Sequence, residues 1–203
     1  MKKALTLLIA IILIMYGIPG TAESSFSRIL IVCFSRAGEN YNVGKIEKGN
    51  TEKLAEIITE QTGGDLFRIE TVIPYPESYD ETLDIATREY QNDERPELTG
   101  QVESWEDYDI IFLGYPIWWA GLPMALHTFM ESYDWQGKTV IPFNTHEGSG
   151  QAGTQQVIED KLSGATVLQG LAVRGSKAQN DAEGTAADVA SGRRTSFPKA
   201  TRR

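Results

Sequence analysis

The feature that most constrains this chain is an alternation of two patterns. Short apolar runs rich in β-branched residues, each ending in small or polar residues, are separated by segments whose apolar residues recur at helical spacing. RILIVCFS (28–35), DIIFLGY (109–115), KTVIPFNT (138–145) and ATVLQGLAV (165–173) are nearly continuous apolar runs, the pattern of strands buried on both faces. LFRIE (66–70) is shorter and alternates, which suits an edge. Between the runs, 51–61 places Leu54, Ile57 and Ile58 on one face, and 78–90 places Leu83, Ala86 and Tyr90. The stretch 123–133 opens with Pro123 at a first-turn position, and 154–162 carries Val157, Ile158 and Leu162. Strands and helices joined in this order need right-handed crossovers, which put helices on both faces of a parallel sheet. The expected fold class is α/β, a three-layer sandwich. Ligands of such sheets sit beyond the carboxyl ends of the strands, so the segments after Ser35, Tyr115 and Thr145 are those to read for chemistry.

Length and composition narrow the choice further. With 203 residues, 41% hydrophobic and 23% charged, the chain has room for one ordinary domain and is neither disordered nor collagenous. The single cysteine, Cys33, has no partner, which excludes an intramolecular disulfide and argues against a Cys-built zinc site. No metal site is expected, and Cys33 reads as core. The net charge is −9, but residues 1–27 carry +1 and 175–203 carry +3, so the body 28–174 carries −13. Such a body repels phosphate backbones, so no nucleic-acid partner is expected.

The ends differ from the body. Met-Lys-Lys, an apolar stretch over 4–18 and then PGTAE (19–23) have the layout of a signal peptide cleaved after Ala22. The stretch is shorter than the roughly 20 residues of a spanning helix. Export to the periplasm or the exterior is expected, with membrane attachment only through an uncleaved residue 1–22 anchor. Residues 178–203 hold few large apolar side chains apart from Phe197 and read as a polar, disordered tail, with a weak helix near 184–191.

Three loops could hold a ligand. After the first run come Ser35, Arg36 and Ala37, and later Gly49, Asn50 and Thr51 open a helix whose exposed N–H groups and dipole favour a phosphate. The plainer reading of Asn50 or Thr51 is a helix cap. After the third run, Pro116-Ile117-Trp118-Trp119 puts two large rings in a loop bounded by Pro and Gly. One ring stacking on a planar ligand and one packing inward would account for the pair. After the fourth, Thr145 and His146 precede GSGQAG (148–153), a poor dinucleotide fingerprint that reads instead as a loop whose N–H groups approach a flat ligand. His127, within a helical apolar pattern, reads as structural, and the charged stretch 80–108 as a solvated helix rather than a lid.

Taken together, FSRAGEN…GNTEKLAE, GYPIWWAGLPMALHTF, PFNTHEGSG and GLAVRGS resemble the flavodoxin-like family, in its small FMN-binding branch with a long first loop, over roughly 28–177. The resemblance implies a five-stranded parallel sheet in the order 2-1-3-4-5 that holds FMN. By position, Ser35, Arg36, Ala37, Asn50 and Thr51 would surround the phosphate. Pro116, Ile117, Trp118 and Trp119 would border the isoalloxazine ring, and Thr145, His146, Gly148, Ser149 and Gly150 would complete the ring site. No catalytic amino acid is required, because the chemistry belongs to the flavin. The implied role is electron transfer or an FMN-dependent NAD(P)H/quinone-type oxidoreductase, with a redox protein or a small-molecule acceptor as partner. A module that keeps this fold but no longer retains flavin is the alternative. The family also ends in an amphipathic helix, which the polar tail lacks. One sheet face is therefore expected to be exposed and the domain marginally stable.

Overall fold

The computed structural model describes residues 27–196, so the expected signal segment and residues 197–203 lie outside the described part. The first apolar run forms β1 (Arg28–Phe34), followed by an antiparallel hairpin of β2 (Gly38–Asn40) and β3 (Gly44–Ile46). Then come α1 (Asn50–Thr62), β4 (Asp65–Ile69), α2 (Tyr79–Gln91), a 3₁₀ turn at Trp105–Asp107, β5 (Tyr108–Pro116) and α3 (Met124–Glu131). The chain continues through β6 (Thr139–His146), α4 (Thr154–Lys161), β7 (Thr166–Val167), β8 (Leu171–Arg174), α5 (Gly175–Asn180) and α6 (Ala182–Ser196).

All strand pairs of the main sheet are parallel, in the order β4-β1-β5-β6, with β7 and β8 both on the outer edge of β6. Counting those two as one position, the order is 2-1-3-4-5. The fifth strand, expected to be continuous over 165–173, is thus broken, and the cause lies in Pro142 of β6. Leu168 N donates to Val140 O at 2.8 Å. The next parallel bond would run from position 142 to Leu168 O, and proline has no N–H to give. Gln155 Nε2 donates to that carbonyl instead (3.0 Å), and its Oε1 accepts from Gly170 N at 3.1 Å.

Successive residues of the central strands face opposite sides, which is why the runs are apolar throughout. Leu30, Val32, Phe34, Ile111, Leu113 and Tyr115 pack on one side with Leu126, Phe129 and Met130 of α3 and Ile158 of α4. Ile31, Cys33, Phe112, Ile141 and Phe143 pack on the other with Leu54, Ala55 and Ile58 of α1. Cys33 is 1% exposed, and burial pushes its thiol up to about 12, so it is protonated and unreactive at neutral pH.

The second face is closed by the segment expected to be a disordered tail. Through Ser196 that segment is helical, with Ala178 of α5 and Val189 of α6 buried on this face. Asp181 Oδ1 accepts from Gly184 N (2.8 Å) at the start of α6. Gln61 Nε2 donates to Ala186 O (2.9 Å), and Gln179 Nε2 to Lys48 O (2.7 Å), fastening the helices to α1 and the loop before it. Small side chains let α6 lie close, so a count of large apolar residues undervalued it. Two residues assigned to apolar faces are exposed instead, Tyr90 at 62% and Val157 at 39%; the buried stripe of α2 is Thr82, Ala86 and Glu89. Among the described residues no helix is long and apolar enough to cross a membrane.

Candidate functional site

The carboxyl ends of β1, β5 and β6 meet at one edge of the sheet, and the loops that follow them enclose a cavity of about 360 Å³. Its floor is polar and buried. Thr51 in the first turn of α1 (1% exposed) and Thr145 at the end of β6 (3% exposed) share a hydrogen bond of 2.7 Å between their hydroxyls. The cap of α1 is neither Asn50 nor Thr51. Gly49 holds the N-cap position and offers no side chain, while Ser35 Oγ, from the loop after β1, accepts from Glu52 N at 3.0 Å. That arrangement demands glycine, because a Cβ at position 49 would stand 2.1 Å from Ser35 Oγ. Asn50 lines the cavity, and its Oδ1 is buried without a hydrogen-bond partner.

The long first loop is the β2–β3 hairpin, turning at Asn42 (φ 58°). Its tip residue Tyr41 and the first residue of α2, Tyr79, have ring centroids 6.2 Å apart at 31°. Both line the cavity, together with Thr82, Leu83 and Ala86 of α2. The expectation of a merely solvated helix is therefore corrected: α2 keeps one face toward water and gives the other to the site. Arg36 also lines the cavity, but its guanidinium donates to the carbonyls of Pro76, Glu77 and Glu39.

The two adjacent tryptophans part ways. Trp118 packs edge-on against Phe34 (5.4 Å) and Tyr75 (5.1 Å), whereas Trp119 is 52% exposed at the mouth. Trp118 N donates to Gly121 O (3.1 Å) and Gly121 N to Trp118 O (2.8 Å), closing a tight turn with Trp119 and Ala120 at its centre. Both central residues have positive φ, 50° and 53°, where side chains are disfavoured by about 1–2 kcal/mol each. Backbone strain of this kind concentrates at ligand clamps. Ile117 N donates to Thr145 O (2.9 Å), tying this loop to the end of β6.

After β6, His146 Nδ1 accepts from Gly148 N at 3.0 Å, which leaves the ring proton on Nε2. Burial, with help from Arg174, lowers the imidazole pKa, so His146 is neutral at neutral pH. Glu147 borders the cavity, and its carboxylate reaches the start of α5, where it accepts from Ser176 N (2.6 Å) and Ser176 Oγ (3.2 Å). Thr154 anchors the end of the glycine-rich loop by donating to Gln151 O (2.6 Å) and bonding the Tyr115 hydroxyl (2.8 Å).

Of the residues singled out in the sequence, Arg36, Asn50, Pro116, Ile117, Trp118, Trp119, Thr145, His146, Gly148 and Ser149 line the one cavity. Ser35 and Thr51 support its floor. Ala37 instead borders a neighbouring cavity of about 620 Å³ beside the hairpin, and Gly150, at φ 62°, stands outside the lining. Missed were Asn40, Tyr41, Tyr79, Thr82, Leu83, Ala86, Ala120 and Glu147. Leu83 and Ala86 were visible as helical periodicity, but that pattern put Tyr90 rather than Tyr79 with them and says nothing of which face meets a ligand. His127 lies on α3 outside this lining, with burial lowering its pKa. Among the described residues no group of three His, Cys, Asp or Glu is placed to hold a metal ion.

Comparison with known proteins places the family and the fold. The family model described as Flavodoxin matches residues 42–186. Among solved structures, a protein from Bacteroides eggerthii described as a flavoprotein is 27% identical, with 82% of this chain and 98% of that chain covered and a TM-score of 0.65. A similarly described protein from Bacteroides uniformis is 25% identical, covering 81% and 98%, with a TM-score of 0.66. A Lactobacillus acidophilus flavoprotein in complex with FMN shares the fold at 20% identity, covering 76% and 97%, with a TM-score of 0.60. No curated protein matches the chain.

Proposed function

Because the chain belongs to the flavodoxin family, whose cofactor is FMN, we propose that it is an FMN-binding redox protein, an electron carrier or an FMN-dependent oxidoreductase. The observation that carries this reading is the single cavity onto which the loops after β1, β5 and β6 converge. Its two ends differ in chemistry, as FMN does. Toward α1 lie the helix N-terminus, Thr51, Thr145 and the unpartnered Asn50 Oδ1, an acceptor suited to a ribityl hydroxyl. Toward the mouth lie Trp119, Tyr41 and Tyr79, flat surfaces suited to a ring.

FMN would supply reversible uptake of electrons at its ring. The chain's own residues position and tune. Trp119 and the two tyrosines exclude water from the ring faces, and His146 offers its Nε2–H as a neutral donor. The −13 body opposes added negative charge, which disfavours the reduced anionic form and favours a basic or neutral electron partner. The signal-like leader supports a place outside the cytoplasm, with FMN acquired after export.

The test is a titration of the purified protein with FMN, followed by gel filtration and a visible spectrum. Flavin absorbance travelling with the protein is expected. A folded, colourless protein after saturation refutes the proposal and favours a module without cofactor. Oxidation of NADH or NADPH by the loaded protein separates the enzyme from the carrier.

A further inference from the structure

The backbone of Arg36 packs against Gly49 at the N-terminus of α1, yet its guanidinium turns elsewhere. Nη1 donates to Pro76 O (2.8 Å) and Glu77 O (3.1 Å), and Nη2 donates to Glu39 O. These carbonyls belong to two separate stretches of chain: the β2–β3 hairpin and the approach to α2. We infer that Arg36 is a positioning residue that rivets these stretches together and so holds Tyr41 and Tyr79 as the outer aromatic wall of the ring site. The inference rests on the FMN reading above and assigns Arg36 to the ring end rather than to the phosphate.

The rest of the seam follows the same plan. Glu39 N donates to Glu77 O (2.8 Å), and Glu39 Oε2 accepts from Tyr79 N (3.1 Å) at the first turn of α2. Lys45 Nζ meets Glu77 Oε2 at 2.7 Å on the exposed side. Asn40 Nδ2 donates to Gly38 O (3.1 Å), holding the strand that leads to Tyr41. Gly38 itself has φ 85°, and a Cβ there would stand 2.6 Å from Glu77 O, so the two stretches touch backbone to backbone. Tyr41 is 59% exposed, so packing does little to fix it; the backbone seam decides where its ring lies.

A guanidinium can serve three carbonyls at once because its donors are spread over a rigid plane, whereas an ammonium is a point. Turning to a phosphate would strip Arg36 from these carbonyls and release the hairpin. The anion end has its own provision in the α1 N-terminus, where Ser35 and Gly49 set the backbone.

Riboflavin has the ring and ribityl chain of FMN without the phosphate, so a pair of ligands separates the two roles. Affinities of the full-length protein for FMN and riboflavin are measured by fluorescence titration for the wild type, Arg36→Met and Arg36→Lys. Loss of the wall should weaken both ligands by the same factor, roughly tenfold, the order of one aromatic contact. The FMN-to-riboflavin ratio should not move. Fluorescence of the bound flavin should rise as the tyrosines leave the ring, and Arg36→Lys should not rescue. In a Tyr41→Ala/Tyr79→Ala background, Arg36→Met should add little further loss. Gly38→Ala, whose Cβ would press on Glu77 O at 2.6 Å and on Arg36 Nη1 at 3.0 Å, opens the same seam without removing the arginine, should reproduce the pattern and serves if Arg36→Met does not fold. A loss confined to FMN and restored by lysine, or no loss at all, overturns the inference while leaving the FMN reading intact. Wild-type protein that takes up neither flavin overturns both.

Discussion

The two faces of the sheet are closed by different means. On the α3 side the material is aromatic: Trp105 lies 4.4 Å from Tyr133 and 4.8 Å from Trp135 between ring centroids, and Phe129 lies 4.9 Å from Tyr133. On the α1 side, Leu54, Ala55 and Ile58 meet the sheet, and among the described side chains the closing helices α5 and α6 contribute Ala178 and Val189 to the buried cluster. Polar ties hold them in place, among them Lys177–Asp188 at 2.7 Å and Lys53 Nζ to Gln179 O at 3.3 Å. Apolar burial contributes about 25 cal/mol per Å², so each large ring of α3 and its neighbours gives its face more stabilisation than Ala178 or Val189 of the closing helices gives the other. The site inherits the difference. Its polar end rests on α1, on the lightly closed face, and its flat surfaces come from the loop and helix packed against the aromatic face.

This contrast can be broken by mutation. Phe129→Ala, in the aromatic cluster, should lower unfolding free energy by about 3–5 kcal/mol in a denaturant titration. Val189→Ala on the opposite face should lose only about 1–2 kcal/mol, two methyl groups' worth. Amides of α6 should exchange with deuterium through openings smaller than global unfolding, ahead of those of α3. Equal losses and uniform exchange would erase the distinction between the faces.

Smaller changes sharpen it at the site. Thr51→Val removes one half of the hydroxyl pair and should destabilise by about 1 kcal/mol while weakening FMN more than riboflavin. Trp119→Gly should act in the opposite sense on stability, raising it by about 0.5–1 kcal/mol as the strained turn relaxes, yet weaken flavin binding. If both properties fall together, Trp119 is holding the loop rather than the ligand.

The smallest effect concerns a surface tie of the aromatic face. Glu131 of α3 meets Arg95 at 2.7 Å and Lys161 at 3.0 Å, and the hydrogen bond to Arg95 leads in holding its carboxyl down at about 2. A carboxylate whose folded pKa is depressed contributes stability above its ordinary value near 4.5, and loses it as pH falls toward about 2. With 43% of the side chain exposed, solvent screening limits the contribution to about 1 kcal/mol or less. Glu131→Gln should remove that part of the slope between pH ~5 and ~2, and high salt should do the same.

Much of the fold could be read from the chain because its runs obey simple periodicities. Val32 and Cys33 face opposite helical layers, and only apolar residues suit both. The break in the fifth strand was also within reach, since Pro142 stands inside an otherwise ideal central strand. The closing helices escaped because α6 packs through small side chains, and their value depends on how near the backbone comes. At the site, the loops after β1, β5 and β6 were legible from their Gly, Ser, Thr and Trp content. The faces of α2 and the hairpin were not, because tyrosines at 41 and 79 are 38 positions apart and are brought together largely by backbone carbonyls, which every residue type possesses.

The chain by itself determined the order of strands and helices and the end of the sheet at which the cavity opens. These follow from local periodicity and from the handedness of crossovers, which every L-peptide shares. Tertiary structure alone decided which of the paired tryptophans packs inward, what Arg36 holds, that Ser35 caps a helix at an amide seventeen residues on and that the last helices close the second face. Each of these is a choice between partners equally available in sequence, settled by distance and by which hydrogen bonds are left to be made.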